Sequence, residues 1–441
     1  MKEIINYINN IEDKIISYRR DFHRYPELGW TEFRTASIIA KRLLELGFEV
    51  KYGKEIFSEA DRMGVPSAGI LDSNYYRALK QGAPEEFMEQ LKGGYTGVLG
   101  VLNLGEGPTV AMRFDIDAIG VSESTKENHL PFSLSFNSSN DGIMHSCGHD
   151  GHAAIGLGVA HTLANFRDRF KGLGTIKLIF QPAEEGVRGA KSMVKAGILD
   201  DVDYVLGNHI MADEENGTLI CGTNGFMATS KLDVSFKGLP AHAGAAPNEG
   251  RNALLAACSA VLNLNSIPRH KDGASRINVG TLMSGSGRNV IPEEASMKLE
   301  TRGQTTEINE YVKTYAERII KHAAEMHEAT YSISYSGEAL VGNSSPGLIK
   351  RLARIGDSLG DFNCLIEESN KSIGSEDFTY MMDRVQKNGG QGIFFILGAS
   401  LDKSQALGHH TSNFDIDEKV LVKSAKLFTL LTLDIEKNCR E

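Results

Sequence analysis

The sequence predicts an α/β protein whose main domain is interrupted by a smaller α+β domain. Apolar strands alternate with helices up to about residue 225, and residues 338–441 return to the same pattern. Between them the predicted order is strand-helix-strand-strand-helix-strand, which is typical of a ferredoxin-like sandwich. We therefore predict a bipartite domain of residues 1–225 and 338–441 and an inserted domain of residues 226–337.

Composition and charge argue against nucleic acid or a membrane as the main partner. Of the 441 residues 41% are hydrophobic and 24% are charged, and the formal net charge is -10. No apolar run approaches the ~18 residues of a membrane span. The five cysteines are odd in number and irregularly spaced, and the amphipathic start of the chain lacks the apolar stretch of a signal peptide. We expect a cytoplasmic protein without a disulfide framework.

The first part of the chain predicts two helices and a long insertion. Helical periodicity covers Ile4–Phe22, and Thr31 begins a second helix that Gly47 ends. The polar segment from Glu55 to Gly94 then separates two strands. We expect a helical surface insertion there, long enough to wall one side of a site.

Three later strands end in side chains that bind metals or transfer protons. They are Asp115 and Asp117 after Thr109–Phe114, Glu184 and Glu185 after Thr175–Phe180, and His209 after Val202–Gly207. Sites in open α/β sheets lie beyond the carboxyl ends of the strands. For each acid taken alone, a capping or turn role is the alternative explanation.

A loop between the first two of these strands adds further metal-binding residues. Met144–His152 contains three His, one Cys and one Asp, and Gly148 separates Cys147 from His149. Thiolate and imidazole bind divalent transition metals, and Gly permits the loop backbone that lets both converge on one ion. A buried Cys beside surface His explains so short a motif equally well. The coincidence with three strand ends favours a metal site.

Together these residues predict a hydrolase site with two metal ions. The candidate ligands are Cys147, His149, Glu185, His209 and one of His409 and His410. Five ligands of mixed type exceed the four of a structural zinc and suit two neighbouring ions. Of the pair Glu184 and Glu185, one carboxylate can bind metal while its neighbour stays free to act as a general base.

Four motifs resemble the M20 peptidase family, in the amidohydrolase branch that includes hippurate and auxin-conjugate hydrolases. They are Arg113-x-Asp115-x-Asp117-Ala118, His145-x-Cys147-Gly148-His149-Asp150-x-His152, Gln181-Pro182-Ala183-Glu184-Glu185 and Asn289-Val290-Ile291-Pro292. The similarity runs over nearly the whole chain. It implies a zinc-peptidase-like catalytic domain with a mixed sheet, and an inserted ferredoxin-like domain that serves as a lid and in dimerisation.

The resemblance also implies a role for each candidate residue. Glu184 is expected as the general base. Asp115 is expected to be an acid that positions the metal ligands without binding the metal itself. The implied ligands of two divalent ions are Cys147 as a bridging thiolate, His149, Glu185, His209 and His410. His410 is preferred to His409 because it lies three residues before Asn413. This branch implies Mn²⁺ rather than Zn²⁺, although a thiolate alone would suggest zinc.

Three residues of the inserted domain complete the expected site. His242 matches a His that in relatives reaches into the partner subunit's site and stabilises the oxyanion. Asn289 and Arg302 are candidates for binding a substrate carboxylate. Without the resemblance, His242 is better explained as a surface turn residue and Arg302 as a solvated strand residue.

The function that the resemblance implies is metal-dependent hydrolysis of a small N-acyl amino acid, with p-aminobenzoyl-glutamate as the leading substrate. A different acyl-amino-acid hydrolase or a dipeptidase with the same chemistry is the nearest alternative. The chain is expected to form a homodimer or to assemble with a related B subunit, and dependence on that partner for activity is a second alternative. A zinc-stabilised binding module is disfavoured because the ligands are spread from Cys147 to His410.

Overall fold

A computed structural model describes the chain over residues 1–371, 374–401 and 408–438. The strands in these ranges are β1 Glu49–Tyr52, β2 Val98–Asn103, β3 Thr109–Asp115, β4 Thr175–Gln181, β5 Tyr204–Met211, β6 Thr218–Thr223, β7 Ala228–Lys237, β8 Ser275–Ser284, β9 Glu294–Gly303, β10 Thr330–Ala339, β11 Cys364–Ser369 and β12 Gln391–Gly398. The helices are α1 Lys2–Asn10, α2 Glu12–Arg24, α3 Phe33–Glu45, α4 Ala68–Lys80, α5 Glu85–Leu91, α6 Leu130–Ser133, α7 His149–Asn165, α8 Ala190–Lys195, α9 Ala253–Leu264, α10 Thr306–Met326, α11 Pro346–Leu359, α12 Phe378–Lys387 and α13 Lys419–Asn438. The strands form two separate sheets.

The larger sheet has the strand order β1-β2-β4-β3-β5-β12-β6-β11. Its central strands β4, β3, β5 and β12 are parallel, and β3 is buried along its whole length, as expected for a strand covered on both faces. Met112 and Phe114 enter one apolar core together with residues of α7 and α13, whereas Ala111 enters a second core with residues of α8 and α12. The mixed sheet expected from the sequence is confirmed.

Helix α7 carries the metal-binding loop to this sheet. Gly148 precedes it with φ +91°, a left-handed conformation that favours glycine. At Gly156 an added Cβ would lie 2.6 Å from Phe180 and 2.7 Å from Phe114, so the absence of a side chain lets the helix pack directly on the sheet. This close packing sets the position of Cys147 and His149, at the N-terminal end of the helix.

The smaller sheet is antiparallel, with the order β10-β7-β9-β8. Leu232, Val234 and Phe236 of β7 are buried with residues of α9 and α10, while Lys231 and Asp233 point to the opposite, open face. This is the ferredoxin-like arrangement expected from the sequence. The sheet spans Ala228–Ala339, and the division of the chain at 226 and 337 stays a prediction.

Two elements differ in detail from the expectation. The expected helix Ile4–Phe22 is interrupted at Ile11, which has φ -101° and ψ 13°, after two Asn residues of low helix propensity. The insertion between Glu55 and Gly94 contains α4 and α5, and part of it is buried rather than solvated. The indole of Trp30 donates to the Met63 carbonyl at 2.8 Å, so the insertion covers the first domain.

The described cysteines, Cys147, Cys221, Cys258 and Cys364, are free thiols. Cys439 lies outside the described residues. Over the described ranges, the helices include none with the length and apolar character that a membrane crossing requires.

Candidate active site

The sequence-predicted strand ends meet at one edge of the larger sheet. Because β4, β3 and β5 are adjacent and parallel, their carboxyl ends lie side by side. Asp115 is the last residue of β3, and Glu184 follows β4. His209 lies within β5 rather than beyond it, because β5 pairs with β12 as far as Met211.

Two groups of potential ligands share one thiol. Cys147, His149 and Glu185 each offer a ligand atom within 4.8 Å of the other two, and Cys147, His209 and His409 do the same. The Cys147 Sγ lies 3.6 Å from His209 Nε2. The Cys147 thiol therefore belongs to both groups of potential ligands.

Two imidazole rings of this centre, those of His149 and His209, are each oriented by a hydrogen bond from Nδ1. His149 Nδ1 donates to the Asp117 carbonyl at 2.9 Å, and its buried Nε2 has no hydrogen-bond partner. His209 Nδ1 donates to the Ile210 carbonyl at 2.8 Å, which leaves Nε2 facing Cys147. Metal-binding His side chains are oriented in this way, so these residues fit a divalent metal centre.

His152 has a different role, although it lies close to His149 on α7. Its Nδ1 donates to Asp115 Oδ1 at 2.5 Å, and its Nε2 accepts from the Ile210 amide at 3.0 Å. With both ring nitrogens engaged, His152 has no lone pair for a metal ion. It links the end of β3 to β5 instead.

His409 and His410 approach different members of the centre. His410 Nε2 lies 3.4 Å from Glu185 Oε1, with about half of its side chain exposed, at 53%. His409 joins the group of Cys147 and His209, and its buried Nδ1 has no hydrogen-bond partner. The structure therefore brings both neighbours to the centre, and the preference for His410 as the ligand stays a prediction.

Asp117, one of the acids that the sequence places at a strand end, supports the backbone of the centre. Its two carboxylate oxygens accept from the Glu184 amide at 3.1 Å and from the Glu185 amide at 2.9 Å. Its carbonyl holds His149, so one residue positions three members of the centre. The sequence motif shows Asp117 two residues after Asp115, but it does not show that Asp117 accepts from the amides of Glu184 and Glu185.

Asp115, the predicted supporting acid, accepts a hydrogen bond from His152, and its Oδ2 lies 3.8 Å from Nε2 of His149. Burial alone raises the pKa of Asp115, but the Arg113 guanidinium at 2.5 Å holds that pKa well below its usual range. Arg113 is itself buried and also donates to Glu376 at 3.0 Å and to Asp377 at 3.1 Å. These two acids, at the start of α12, have no sequence signal that marks them as partners of Arg113.

The centre concentrates acidic groups that need a positive partner. Burial, and then repulsion from Glu376 and Glu185, raises the pKa of Glu184 well above its usual range. Burial and Glu185 likewise raise the pKa of the Cys147 thiol. The arrangement suits bound cations, and the buried Glu184 carboxyl beside them is a candidate for proton transfer.

A cavity of about 540 Å³ opens between this edge and the open face of the smaller sheet. Its apolar wall includes Phe226 and Phe394, whose rings meet edge to face with centroids 5.3 Å apart. Its basic residues are Lys231, Arg302 and Lys371. The cavity therefore offers an apolar wall, positive charge and the metal-binding edge to one ligand.

A family model decides the classification. The model described as peptidase family M20/M25/M40 matches residues 111–434. The chain belongs to this family. The family and fold class expected from the sequence motifs are thereby confirmed.

Among M20 relatives, two enzymes are similar over almost the full chain. The chain is 45% identical over 422 residues to one of the subunits of the p-aminobenzoyl-glutamate hydrolase of Escherichia coli (strain K12), covering 96% of this chain and 95% of the relative. It is 44% identical over 429 residues to indole-3-acetyl-aspartic acid hydrolase of Enterobacter agglomerans, covering 97% of each. The crystal structure of the aminobenzoyl-glutamate utilization protein from Klebsiella pneumoniae matches with a TM-score of 0.84 and 39% identity over 97% of both chains.

The three predicted site residues of the inserted domain do not all lie in the cavity. Arg302 lines the cavity, whereas His242 and Asn289 are exposed and lie outside its lining. The two are neighbours, because the Ala243 amide donates to the Asn289 carbonyl at 2.9 Å. His242 Nδ1 accepts from the amides of Gly244 and Ala245, both at 3.1 Å, so the ring proton lies on Nε2.

Proposed function

We propose that this chain is a metal-dependent amidohydrolase that cleaves N-acyl amino acids, with p-aminobenzoyl-glutamate as the leading substrate. The observation that carries the proposal is Cys147, a thiol shared by two ligand groups beside the buried Glu184. The two similar hydrolases are named for amides of glutamate and aspartate. An apolar wall and basic side chains in one cavity suit such a substrate.

The proposed ligands of two divalent ions are Cys147, His149, Glu185, His209 and His410, with His409 as the alternative to the last. When bound, such ions lower the pKa of water and polarise the amide carbonyl. The resemblance to the amidohydrolase branch favours Mn²⁺, whereas a thiolate ligand is also suited to Zn²⁺.

Glu184 is the proposed general base. Its carboxylate accepts the proton of the attacking water and returns it to the leaving amine. Asp117 keeps the backbone of Glu184 in place through the amide hydrogen bond. His242, with its proton on Nε2, is proposed to donate to the oxyanion in the site of a partner subunit, with Asn289 beside it and Arg302 binding substrate.

The proposed assembly is a homodimer or a complex with a related B subunit, in the cytoplasm. The exposure of His242 and Asn289 supports it, because residues that act in a partner's site must lie outside their own cavity. The name of the E. coli relative describes it as one subunit of its hydrolase, which implies a second kind of chain. Measuring the mass of the purified chain in solution, and then its activity with and without a co-expressed B subunit, distinguishes the two assemblies.

The test of the mechanism is Glu184→Gln, with the exposed Glu106→Gln as the matched control. We expect E184Q to retain its metal content, measured by mass spectrometry, and to lose about 10²- to 10⁴-fold of its glutamate release from p-aminobenzoyl-glutamate. E106Q should keep both. Hydrolysis by E184Q at the wild-type rate would contradict the proposal.

A panel of amides tests the substrate class. Acylated amino acids and dipeptides, assayed with added Mn²⁺ or Zn²⁺, should give a higher kcat/KM for N-aroyl amino acids than for dipeptides. The opposite order would identify a dipeptidase.

A further inference from the structure

The three cations that line the cavity differ in what they already bind. Arg302 donates to both oxygens of Glu300, at 2.9 Å and 3.1 Å. Lys371 donates to Glu214 at 3.2 Å, and 75% of its side chain is exposed. Lys231 is half-buried and makes no hydrogen bond or ion pair with any residue in the described ranges. Among the described residues, it is therefore the cavity cation without an anionic partner at hydrogen-bond distance.

Strand register explains why Lys231 lacks such a partner. On the open face of the smaller sheet, Lys231 lies directly opposite Glu300 in the β7–β9 pair. Opposite charges in this position usually pair, but Arg302, two residues further along β9, occupies both oxygens of Glu300. The Lys231 ammonium is left facing the cavity.

Lys231 is partly desolvated, and the carboxylates of Glu184, Glu300 and Glu185 act on it through space without a hydrogen bond to it in the described ranges. Burial lowers the pKa of Lys231, and the charge of Glu184 opposes that shift more than Glu300 does. A partly desolvated ammonium without a partner is unfavourable, so a carboxylate that enters the cavity gains a charge-assisted hydrogen bond at little further desolvation cost.

The two similar hydrolases indicate which carboxylate this is. Their named substrates share an acidic amino acid, glutamate or aspartate, and differ in the acyl group, aminobenzoyl or indole-acetyl. The apolar wall with Phe226 and Phe394 suits an aromatic acyl group, and the basic side suits the amino acid. An acidic amino acid brings a second carboxylate that a neutral one lacks.

We propose that Lys231 binds the side-chain carboxylate of an acidic N-acyl amino acid and thereby selects glutamate- and aspartate-type amides over neutral ones. The proposal rests on the proposed amidohydrolase function and names its specificity-determining residue. In this proposal Lys231 contacts the side-chain carboxylate and not the scissile amide, so its removal should change selectivity more than it changes the chemical step.

Three matched substrates test it: the p-aminobenzoyl amides of glutamate, of glutamine, which lacks the side-chain charge, and of 4-aminobutyrate, which lacks the α-carboxylate. We expect Lys231→Met to lower kcat/KM for the glutamate amide by about 10- to 100-fold, and for the 4-aminobutyrate amide by a similar factor. The loss for the glutamine amide should be much smaller, so that the preference for glutamate over glutamine falls toward one. Lys231→Arg should restore part of that preference.

Lys237→Met is the matched control, because Lys237 lies on the same face of β7, is exposed and is outside the cavity lining. It should leave the preference for glutamate unchanged. An equal loss by K231M on the glutamate and glutamine amides would overturn the proposal, since Lys231 would then serve the α-carboxylate or the reaction itself. Unchanged selectivity of K231M would overturn it as well.

Binding measurements separate failure of this proposal from failure of the proposed function. Two variants are titrated calorimetrically, E184Q and the double variant E184Q/K231M. Each is titrated with the glutamate amide and with the glutamine amide, which measures selectivity in binding without turnover. If the wild-type chain hydrolyses none of the amides, a Lys231-dependent preference in binding still supports the carboxylate site, while the proposed reaction fails. Absence of that preference in E184Q overturns the site.

Discussion

The two walls of the cavity are the edge of the larger sheet and the open face of the smaller sheet. They hold their basic residues in different surroundings. At the edge of the larger sheet, Arg113 is buried and donates to Asp115, Glu376 and Asp377. On the open face of the smaller sheet, Arg302 is half-exposed with a single acidic partner, Glu300, and Lys231 has none within the described ranges. One wall is a closed network of charges, and the other presents charge to the cavity.

This difference suits the two walls to different tasks, one to holding the proposed metal centre and the other to selecting the substrate. Buried charges are tolerated only when they are paired and hydrogen-bonded, so the network around Arg113 and Asp117 holds the proposed metal centre in one geometry. Pre-organised groups of this kind are what catalysis requires. The open face keeps its groups available for a ligand, which suits substrate selection. Substitutions in the network should therefore reduce stability and activity, while those on the open face should reduce activity alone.

The largest effect is expected for Arg113→Met. It leaves Asp115, Glu376 and Asp377 buried together without their cation, which should lower the free energy of unfolding by about 3–5 kcal/mol. Arg302→Met is the matched control and should cost at most about 1 kcal/mol, because its ion pair is solvated. Urea denaturation of both variants measures the difference. Equal costs would remove the distinction between the two walls.

A second buried cluster of charges, around His23, should make stability depend on pH. His23 Nδ1 donates to Asp150 at 2.8 Å and its Nε2 donates to Glu123 at 2.9 Å. Burial alone lowers the pKa of His23, but these two carboxylates raise it from 6.5 to about 9. Since the folded-state pKa is the higher one, the stabilisation is complete below pH 6.5 and is lost as the pH rises through about 9. Its size is on the order of 3 kcal/mol.

Denaturation of His23→Gln between pH 6 and 10 tests this expectation. The variant should lose most of the decline in stability that the wild-type protein shows over that interval. His322→Gln, at an exposed position of α10, should retain the decline. A decline in H23Q as steep as in the wild-type protein would show that another group causes it.

Asp117→Asn should have a smaller effect. One of its two oxygens becomes an NH₂ group and can no longer accept from the Glu184 or Glu185 amide. Loss of such supporting hydrogen bonds typically weakens metal binding by 10- to 100-fold, or about 1.4–2.7 kcal/mol. Competition with a chromogenic chelator measures the affinity, and the exposed Asp141→Asn is the control. Unchanged metal affinity in D117N would mean that the amide contacts do not position the ligands.

The smallest effect on stability is expected for His242→Ala. The side chain is exposed, so the free energy of unfolding should change by less than about 0.5 kcal/mol. If His242 donates to the oxyanion of a partner's site, kcat should fall by about 10²-fold. Mixing H242A with E184Q chains should then restore part of the activity, because some hybrid sites contain both groups. Failure of the mixture to regain activity would place His242 outside the reaction.

Local patterns in the amino-acid sequence were sufficient for the types of the main elements and for the residues at the strand ends. Hydrophobic periodicity distinguishes strand from helix, and the parallel strands β3, β4 and β5 necessarily align their carboxyl ends. The ferredoxin-like order of the inserted domain followed from the succession of elements. The motifs with Cys147 and Glu184 were specific enough for the family.

The tertiary structure decided which partners these residues have. The Arg113–Glu376 pair joins residues 263 positions apart, and no local pattern specifies such a contact. For the same reason only the structure distinguishes Asp117, which holds the two glutamate amides, from Asp115, which holds His152. Hydrogen bonds and ion pairs depend on distances set by the packing of whole elements. Strand register likewise determines that Arg302 pairs with Glu300 and that Lys231 faces the cavity without a partner among the described residues.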